Sequence, residues 1–304
     1  MITVLASDDS APIRTRKLFF RISQNCDGRA TLNVDKKGPG AVSTNLADLT
    51  WPEAQVALQA DTIVLLPIGA IEAHGPHLPL DTDVAIATEM ARRGGGLLTE
   101  AGFETIIAPA IVYGVSIVGT CFPGTTPVQA ETITNTVTSV ISHIANWGPR
   151  RFCVVNAHLE PAHVNAIGEG LKLIEVASRA ERNKVMTEVR VSFPDKRIEP
   201  WASLLSEEFK AGMRHAGAYE TSLMLAIAPD RVRVGVLSDL PQVRIDLPDQ
   251  LRAGAKTFSD ARGTNGYFGD PASATAAEGE RLFEVLAKMI LTAVLSLDDP
   301  VYSS

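Results

Sequence analysis

The sequence predicts an α/β domain built on a mostly parallel sheet with helices on both faces. Short β-branched runs alternate along the chain with longer segments of helical periodicity. This alternation is typical of parallel sheets covered on both sides. With 45% hydrophobic and 21% charged residues, the composition is that of a globular protein. We place one domain at residues 46–304, behind an N-terminal extension at residues 1–45.

The extension contains too little apolar sequence to form a core of its own. Its main apolar stretch is Leu18-Phe19-Phe20, which we expect to dock on a partner subunit. We expect no secretory signal, because Asp8 and Asp9 are acidic and no continuous apolar segment precedes Arg14.

Four strands are predicted, at residues 63–66, 105–108, 152–155 and 184–191. Helices are predicted from residue 83 to about 93 and wherever apolar residues recur every three or four positions. The three later helices have these apolar residues: Ile133, Val137, Val140, Ile141, Ile144 and Trp147; Val164, Ile167, Leu171 and Ile174; Leu282, Phe283, Leu286, Met289, Ile290 and Val294. The glycine run at residues 94–96 is interpreted as the C-cap of the first helix.

Charge and cysteine content exclude several classes of protein. The net charge of −7 lacks the basic excess that a general nucleic-acid binder needs. The strongest apolar run, residues 287–295, contains Lys288 and is far shorter than a membrane span of about 18 residues. Three cysteines without a CxxC pair fit a reducing compartment, so we expect a cytoplasmic protein.

The loops after the first and third strands carry the candidate chemistry, because ligands of parallel sheets bind beyond the carboxyl ends of the strands. One loop contains Glu72 and His74, and the other contains His158 and Glu160. Residues two apart in extended backbone point the same way, so each pair can converge on one ion. A single such pair is usually a surface or capping pair, but two at corresponding strand ends favour metal binding.

Asp83 brings the candidate ligands to five, all oxygen or nitrogen. Five protein ligands on a single catalytic metal would leave no open position for water or substrate, whereas two metals can share a bridging carboxylate. The count therefore favours a dinuclear site, and the ligand types suit Zn²⁺ or Mn²⁺.

Other polar residues are weighed against simpler explanations. Taken alone, Glu220 is explained as a first-turn residue that the helix dipole favours, and His215 as an ordinary loop residue. Beside a metal site, however, His215 becomes a candidate acid/base. We interpret His143 and His163 as solvated or capping residues, and Cys153 as a core residue.

Five segments between residues 48 and 230 resemble the creatininase family in order and spacing. They are Gly69-Ala70-Ile71-Glu72-Ala73-His74-Gly75-Pro76-His77-Leu78-Pro79-Leu80 with Thr82-Asp83, Tyr113-Gly114-Val115-Ser116, Phe122-Pro123-Gly124-Thr125, Asn156-Ala157-His158-Leu159-Glu160, and His215-Ala216-Gly217 with Glu220-Thr221-Ser222. The resemblance implies a three-layer α/β/α sandwich, a homo-hexamer and two divalent metals.

The resemblance also implies roles for individual residues. Glu72 and His158 would bind one metal, His74 and Glu160 the other, and Asp83 would bridge them. A hydroxide held by the metals would attack the amide carbon, and His215 would protonate the leaving nitrogen. The remaining roles are these: Glu220 orients His215, Glu160 also belongs to the catalytic set, and Ser116, Leu159 and Arg214 contact substrate.

Departures from the creatinine-cleaving members bear on the substrate. Leu159 occupies the position at which the creatinine-cleaving enzymes look to have an aromatic residue. Arg214 fits either a substrate with an anionic group or a solvated surface arginine. We therefore predict a metal-dependent amidohydrolase that opens a small cyclic amide or lactam. The alternatives are a formamide deformylase, a short-peptide hydrolase of the same family, and a non-catalytic protein that uses the metals only for binding.

Overall fold

A computed structural model describes residues 44–180 and 189–298, together with the backbone of three short N-terminal strands. The strands are β1 Thr3–Val4, β2 Leu18–Gln24, β3 Ala30–Val34, β4 Thr44–Asn45, β5 Ile63–Ile68, β6 Thr105–Ile107, β7 Arg151–Asn156 and β8 Arg190–Ser192. The α-helices are α1 Trp51–Ala57, α2 Thr82–Glu100, α3 Ala130–Trp147, α4 Pro161–Ala180, α5 Glu199–Leu205, α6 Glu207–Lys210, α7 Ala218–Ile227, α8 Val234–Leu237, α9 Leu247–Arg252 and α10 Ala276–Leu295.

Five strands form the central sheet in the order β4-β6-β5-β7-β8, and every neighbouring pair is parallel. The centre of the sheet is β5, where Val64 pairs with Ile106 on one side and with Phe152 on the other. All six residues of β5 are buried. A continuous apolar strand is expected where both faces of a parallel sheet are covered.

The residues of β5 alternate between two hydrophobic cores. Ile63 and Leu65 pack with residues of α2, α7 and α10 on one face. Val64 and Leu66 pack with residues of α3 and α4 on the other. The sheet therefore lies between two helical layers, which confirms the predicted α/β/α architecture.

The predicted elements correspond closely to the observed ones. The first three strands and the four predicted helices are present, and the apolar stripe of α10 is buried. The fourth strand was predicted at residues 184–191, and the structure has β8 at Arg190–Ser192. Residues 184–188 of that prediction lie outside the described residues.

Two predictions about helix ends were wrong. The glycines at residues 94–96 do not cap a helix, because α2 continues through them to Glu100. Gly94 instead provides space for α10, since a Cβ at this position would lie 2.9 Å from Ile290 Cδ1. Trp147 is not part of the buried stripe of α3 and is 73% exposed. It is the last helical residue before Gly148, whose φ of 151° turns the chain away from the helix.

In the N-terminal segment, β1, β2 and β3 form a separate antiparallel sheet in that order. The side chains of Leu18, Phe19 and Phe20 lie outside the described part of the structure, so their docking on a partner subunit stays a prediction. Among the described helices, none is long and apolar enough to span a membrane.

Candidate metal centre

The two loops singled out by the sequence meet because β5 and β7 are neighbours. Ile68 and Asn156 are paired at the carboxyl ends of these strands, so the segments that follow them start side by side. Gly69 lets the first loop pass against α2, since a Cβ there would lie 2.5 Å from the backbone nitrogen of Val84. Asp83, in the first turn of α2, is therefore brought to the same place as the loops.

The tautomer of His74 is set by the backbone of its own loop. His74 Nδ1 lies 3.0 Å from the carbonyl oxygen of Glu72, which can only accept a hydrogen bond, so Nδ1 donates. Nε2 then carries the lone pair of the neutral ring. It lies 3.2 Å from Asp83 Oδ1 and 3.7 Å from Glu220 Oε2.

His158 is also fixed by a backbone carbonyl, but in the opposite tautomer. Nε2 donates to the carbonyl oxygen of Val115 at 2.8 Å. Nδ1 therefore carries the lone pair and lies 3.0 Å from Asp83 Oδ2 and 3.3 Å from Glu72 Oε2. In both histidines, a lone pair of the neutral ring is held against carboxylate oxygens.

Such an arrangement attracts positive charge. Burial lowers the pKa of His74, but Asp83, Glu220 and Glu72 outweigh it and raise that pKa to about 10. His158 follows the same pattern, since Glu72 and Asp83 outweigh burial and raise its pKa to about 10. Burial raises the pKa of both Glu72 and Glu220 to about 7. The cluster is therefore stabilised by cations, either protons on the imidazoles or metal ions between the groups.

The buried oxygens fit metal ions. Glu72 Oε1 is buried and has no hydrogen-bond partner in the described structure, and Asp83 Oδ2 has none while His158 Nδ1 carries a lone pair. Among the described residues, three groups each have their ligand atoms within 4.8 Å of one another: His74, Asp83 and Glu220; Glu72, His158 and Glu160; and Glu72, His74 and His215. Asp83 faces the first two groups, because its two oxygens are directed at different histidines. Imidazole and carboxylate ligands suit Zn²⁺ or Mn²⁺.

The structure brings all five predicted ligands together, but it groups them differently from the grouping that the family resemblance implies. Glu220, expected to orient His215, is the carboxylate beside His74. Glu160, expected beside His74, is grouped with Glu72 and His158. Its two carboxylate oxygens accept hydrogen bonds from the backbone nitrogens of Ile117 and Val118, at 3.2 and 3.1 Å.

His215 lies at the edge of the cluster and lines the adjoining pocket. Its Nε2 donates to the carbonyl oxygen of Ala73 at 2.9 Å, so Nδ1 carries the lone pair of the neutral ring. Nδ1 lies 4.0 Å from Glu72 Oε2. Burial, followed by the charge of His74, lowers the pKa of His215 well below its usual value, which favours the neutral imidazole.

Two further histidines pack around the cluster. His163 was predicted to be solvated or capping, and this was wrong, because it is fully buried. Its Nδ1 accepts a hydrogen bond from Val115 N, and its ring lies 4.9 Å from that of His158. His77 Nε2 lies 2.9 Å from Thr221 Oγ1 and so connects the first loop to α7. His143 is exposed and Cys153 is buried, as predicted.

A pocket of about 100 Å³ opens beside the cluster. Leu159 and Arg214, two of the predicted substrate contacts, line it, whereas Ser116 is fully buried and does not. Arg214 already forms an ion pair with Glu199 at 2.9 Å, and its guanidinium lies over the ring of Phe209. The sequence interpretation missed the apolar wall of the pocket, which consists of Val118, Leu247, Pro248, Leu251 and Phe258.

The fold and the site define a class: an α/β/α protein with a buried candidate metal centre at the carboxyl end of its parallel strands, next to a pocket. Comparisons with known proteins narrow the class. A family model described as creatininase, creatinine amidohydrolase, matches residues 47–294. The chain therefore belongs to the creatininase family and is a hydrolase of the amidohydrolase type.

Three relatives illustrate the range of this family. A mycofactocin precursor peptide peptidase from Mycobacterium tuberculosis is 34% identical over 233 residues, which cover 73% of this chain and 80% of the relative. A creatinine amidohydrolase from Pseudomonas putida is 30% identical over 263 residues, covering 83% and 96%. A solved manganese form of creatininase is 27% identical with a TM-score of 0.66, covering 85% of this chain and all of the other.

Proposed function

We propose that the protein is a metal-dependent amide hydrolase that holds two divalent cations and opens a small cyclic amide or lactam. The observation that carries this proposal is the position of Asp83. Its two oxygens are directed at the lone-pair nitrogens of His74 and His158, at 3.2 and 3.0 Å. A carboxylate placed between two imidazoles in this way is suited to bridge two cations.

Each cation would have its own ligands besides Asp83. We assign His74 and Glu220 to one and Glu72 and His158 to the other, on the distances between their ligand atoms. This assignment replaces Glu160 by Glu220 beside His74. Zn²⁺ and Mn²⁺ both suit the set, and the relatives include a manganese form.

When bound, such cations lower the pKa of a coordinated water and polarise a substrate carbonyl. The protein's own groups then handle the protons. His215 Nδ1 would accept a proton from the attacking water and pass it to the leaving nitrogen, while Ala73 fixes the ring orientation through Nε2. Glu160 is a second group that could hold a proton, because burial raises its pKa.

The pocket indicates which substrates fit. Its apolar wall of Leu247, Leu251 and Phe258 would contact a hydrophobic part of the substrate, and Leu159, between His158 and Glu160 in the chain, also lines the pocket. Arg214 would hold an anionic group only by giving up its ion pair with Glu199, whose side chain is 71% exposed. We retain Arg214 and Leu159 as proposed substrate contacts, and we assign no contact to Ser116.

A second candidate function is hydrolysis of a short peptide. The relative named as a peptide peptidase is 34% identical over 233 residues, which cover 73% of this chain. Both candidates use the same centre and differ only in the amide that enters it. Assembly into a homo-hexamer and a cytoplasmic location remain predictions.

The test is turnover by the purified, metal-loaded protein on a panel of lactams, cyclic ureides, formamides and short peptides. We expect hydrolysis of at least one lactam or ureide, its loss after chelation, and its recovery with Mn²⁺ or Zn²⁺. His215→Ala should abolish turnover with metal content near that of the wild type, whereas Glu220→Ala should lose metal. Bound metal without turnover on any substrate would favour the alternative of a metal-dependent binding protein.

A further inference from the structure

Asp195 is a buried carboxylate that neither the ligand set nor the pocket uses. It lies in the short turn after β8 and is 7% exposed. None of the ion pairs in the described part of the chain includes Asp195, and burial raises the pKa of its carboxyl to about 7. Burying a carboxylate is costly unless its oxygens are hydrogen-bonded, so its hydrogen bonds should show what retains it there.

The main contact of Asp195 is with the side chain of Asn156, the last residue of β7. Asn156 Nδ2 donates to Asp195 Oδ2 at 2.6 Å and to the carbonyl oxygen of His158 at 2.7 Å. Asn156 Oδ1 accepts from the backbone nitrogen of His158 at 3.1 Å. The amide is 2% exposed, and both of its N–H groups are used.

These bonds fix which way the amide faces. Rotating the Asn156 amide by 180° would place its oxygen against the carboxylate of Asp195 and against the carbonyl of His158, which are both acceptors. In the observed orientation the amide holds His158 at its backbone N–H and at its carbonyl. The backbone of His158 is thus held on both sides, and its side chain is directed at Asp83 and Glu72.

We propose that Asp195 is a positioning residue for the metal centre, because it orients the Asn156 amide that holds the loop of His158 and Glu160 in its metal-binding conformation. This inference rests on the proposed function, since it takes His158 to be a metal ligand. The sheet brings the two residues together: β8 is parallel to β7, with Ser192 paired to Cys153, so the chain after each strand leaves the same edge.

The test measures cation affinity by titrating Mn²⁺, and separately Zn²⁺, into the metal-free full-length protein. Asp195→Ala should weaken binding about 10- to 100-fold, the usual effect of losing a group that orients a metal ligand. Asp195→Asn should stay within a few-fold of the wild type, because its side-chain oxygen can accept the same bond. Asn156→Asp, which removes both donors at nearly constant volume, should weaken binding as Asp195→Ala does.

Ser192→Ala is the matched control, because Ser192 is buried in the adjoining strand and its hydroxyl donates to the carbonyl oxygen of Phe152, at 3.4 Å. It should bind cations as the wild type does. Equilibrium unfolding of each metal-free variant shows whether it is folded, so that a folding defect is not mistaken for a loss of cation affinity. Wild-type cation affinity in a folded Asp195→Ala or Asn156→Asp variant would overturn the inference. So would an Asp195→Asn variant that binds cations as weakly as Asp195→Ala. A wild-type protein that binds no cation would instead refute the proposed function.

Discussion

Replacing two nearby glycines of α2 by alanine should change stability in opposite directions. Gly94 faces α10, where a new Cβ would lie 2.9 Å from Cδ1 and Cγ2 of Ile290 and 3.0 Å from its Cβ. Gly96 is two residues further along the same helix, and a Cβ there would have no heavy atom within 4 Å apart from its chain neighbours and the backbone of its own helix. The same substitution therefore meets a packed helix at one position and open space at the other.

The magnitudes follow from two opposing effects. Alanine in a helix interior is favoured over glycine by about 0.5–1 kcal/mol, so Gly96→Ala should raise the free energy of unfolding by about that amount. Gly94→Ala has the same gain, but overpacking against Ile290 costs about 1–3 kcal/mol. The propensity gain cancels in the comparison, so the two variants should differ by about 1–3 kcal/mol, with Gly94→Ala the less stable.

Equilibrium unfolding in urea of the wild type and both variants measures this difference, provided that the slopes of the transitions agree. Ile290→Val in the Gly94→Ala background should recover part of the loss, because it removes one of the three close atoms. Two results would refute the reasoning. A destabilised Gly96→Ala would mean that the glycines end the helix, and equal shifts in both variants would mean that α10 does not pack closely on Gly94.

Three more predictions concern the centre and the cysteines. Gly119→Ala should lower cation binding, because its Cβ would lie 2.6 Å from Glu72 Oε1; unchanged metal content by elemental analysis would contradict this contact. Cys153 is buried with its pKa raised to about 12, so iodoacetamide should label exposed Cys121 in the native protein and Cys153 only after unfolding, as peptide mapping by mass spectrometry can show. Saturating Mn²⁺ or Zn²⁺ should raise the melting temperature, since a ligand at 100 times its dissociation constant stabilises the native state by about 2.7 kcal/mol, and calorimetry showing no shift would count against a native cation site.

The part of the site that could be predicted from the sequence lies directly after two strands. Both strands are apolar runs with clear ends, and parallel strands bring their carboxyl ends together, so the sequence places Glu72, His74, His158 and Glu160 at one edge of the sheet. The structure has them in two groups that share Glu72. Asp83 was included because it opens the helix after the first loop. These predictions need only local sequence patterns and the rule that parallel strands end at the same edge of a sheet.

The remaining contacts depend on packing between distant segments. Glu220 reaches His74 because α7 packs against α2 and α10, and no local pattern gives that distance. His163 lies in the first turn of α4, where exposure is usual, but the backbone of Val115 covers it. Leu251 lies in the six-residue helix α9, and Phe258 lies in the irregular segment after it, so neither belongs to an element long enough for periodicity to predict the pocket wall.

The central claim is that Asp83 lies between two cations. Anomalous diffraction from crystals of the metal-loaded protein, recorded at the absorption edge of the bound element, tests it most directly. We expect two peaks about 3.5–4 Å apart, one next to His74 and Glu220 and the other next to Glu72 and His158. A single peak, no peak, or peaks away from the Asp83 carboxylate would contradict the proposed dinuclear centre.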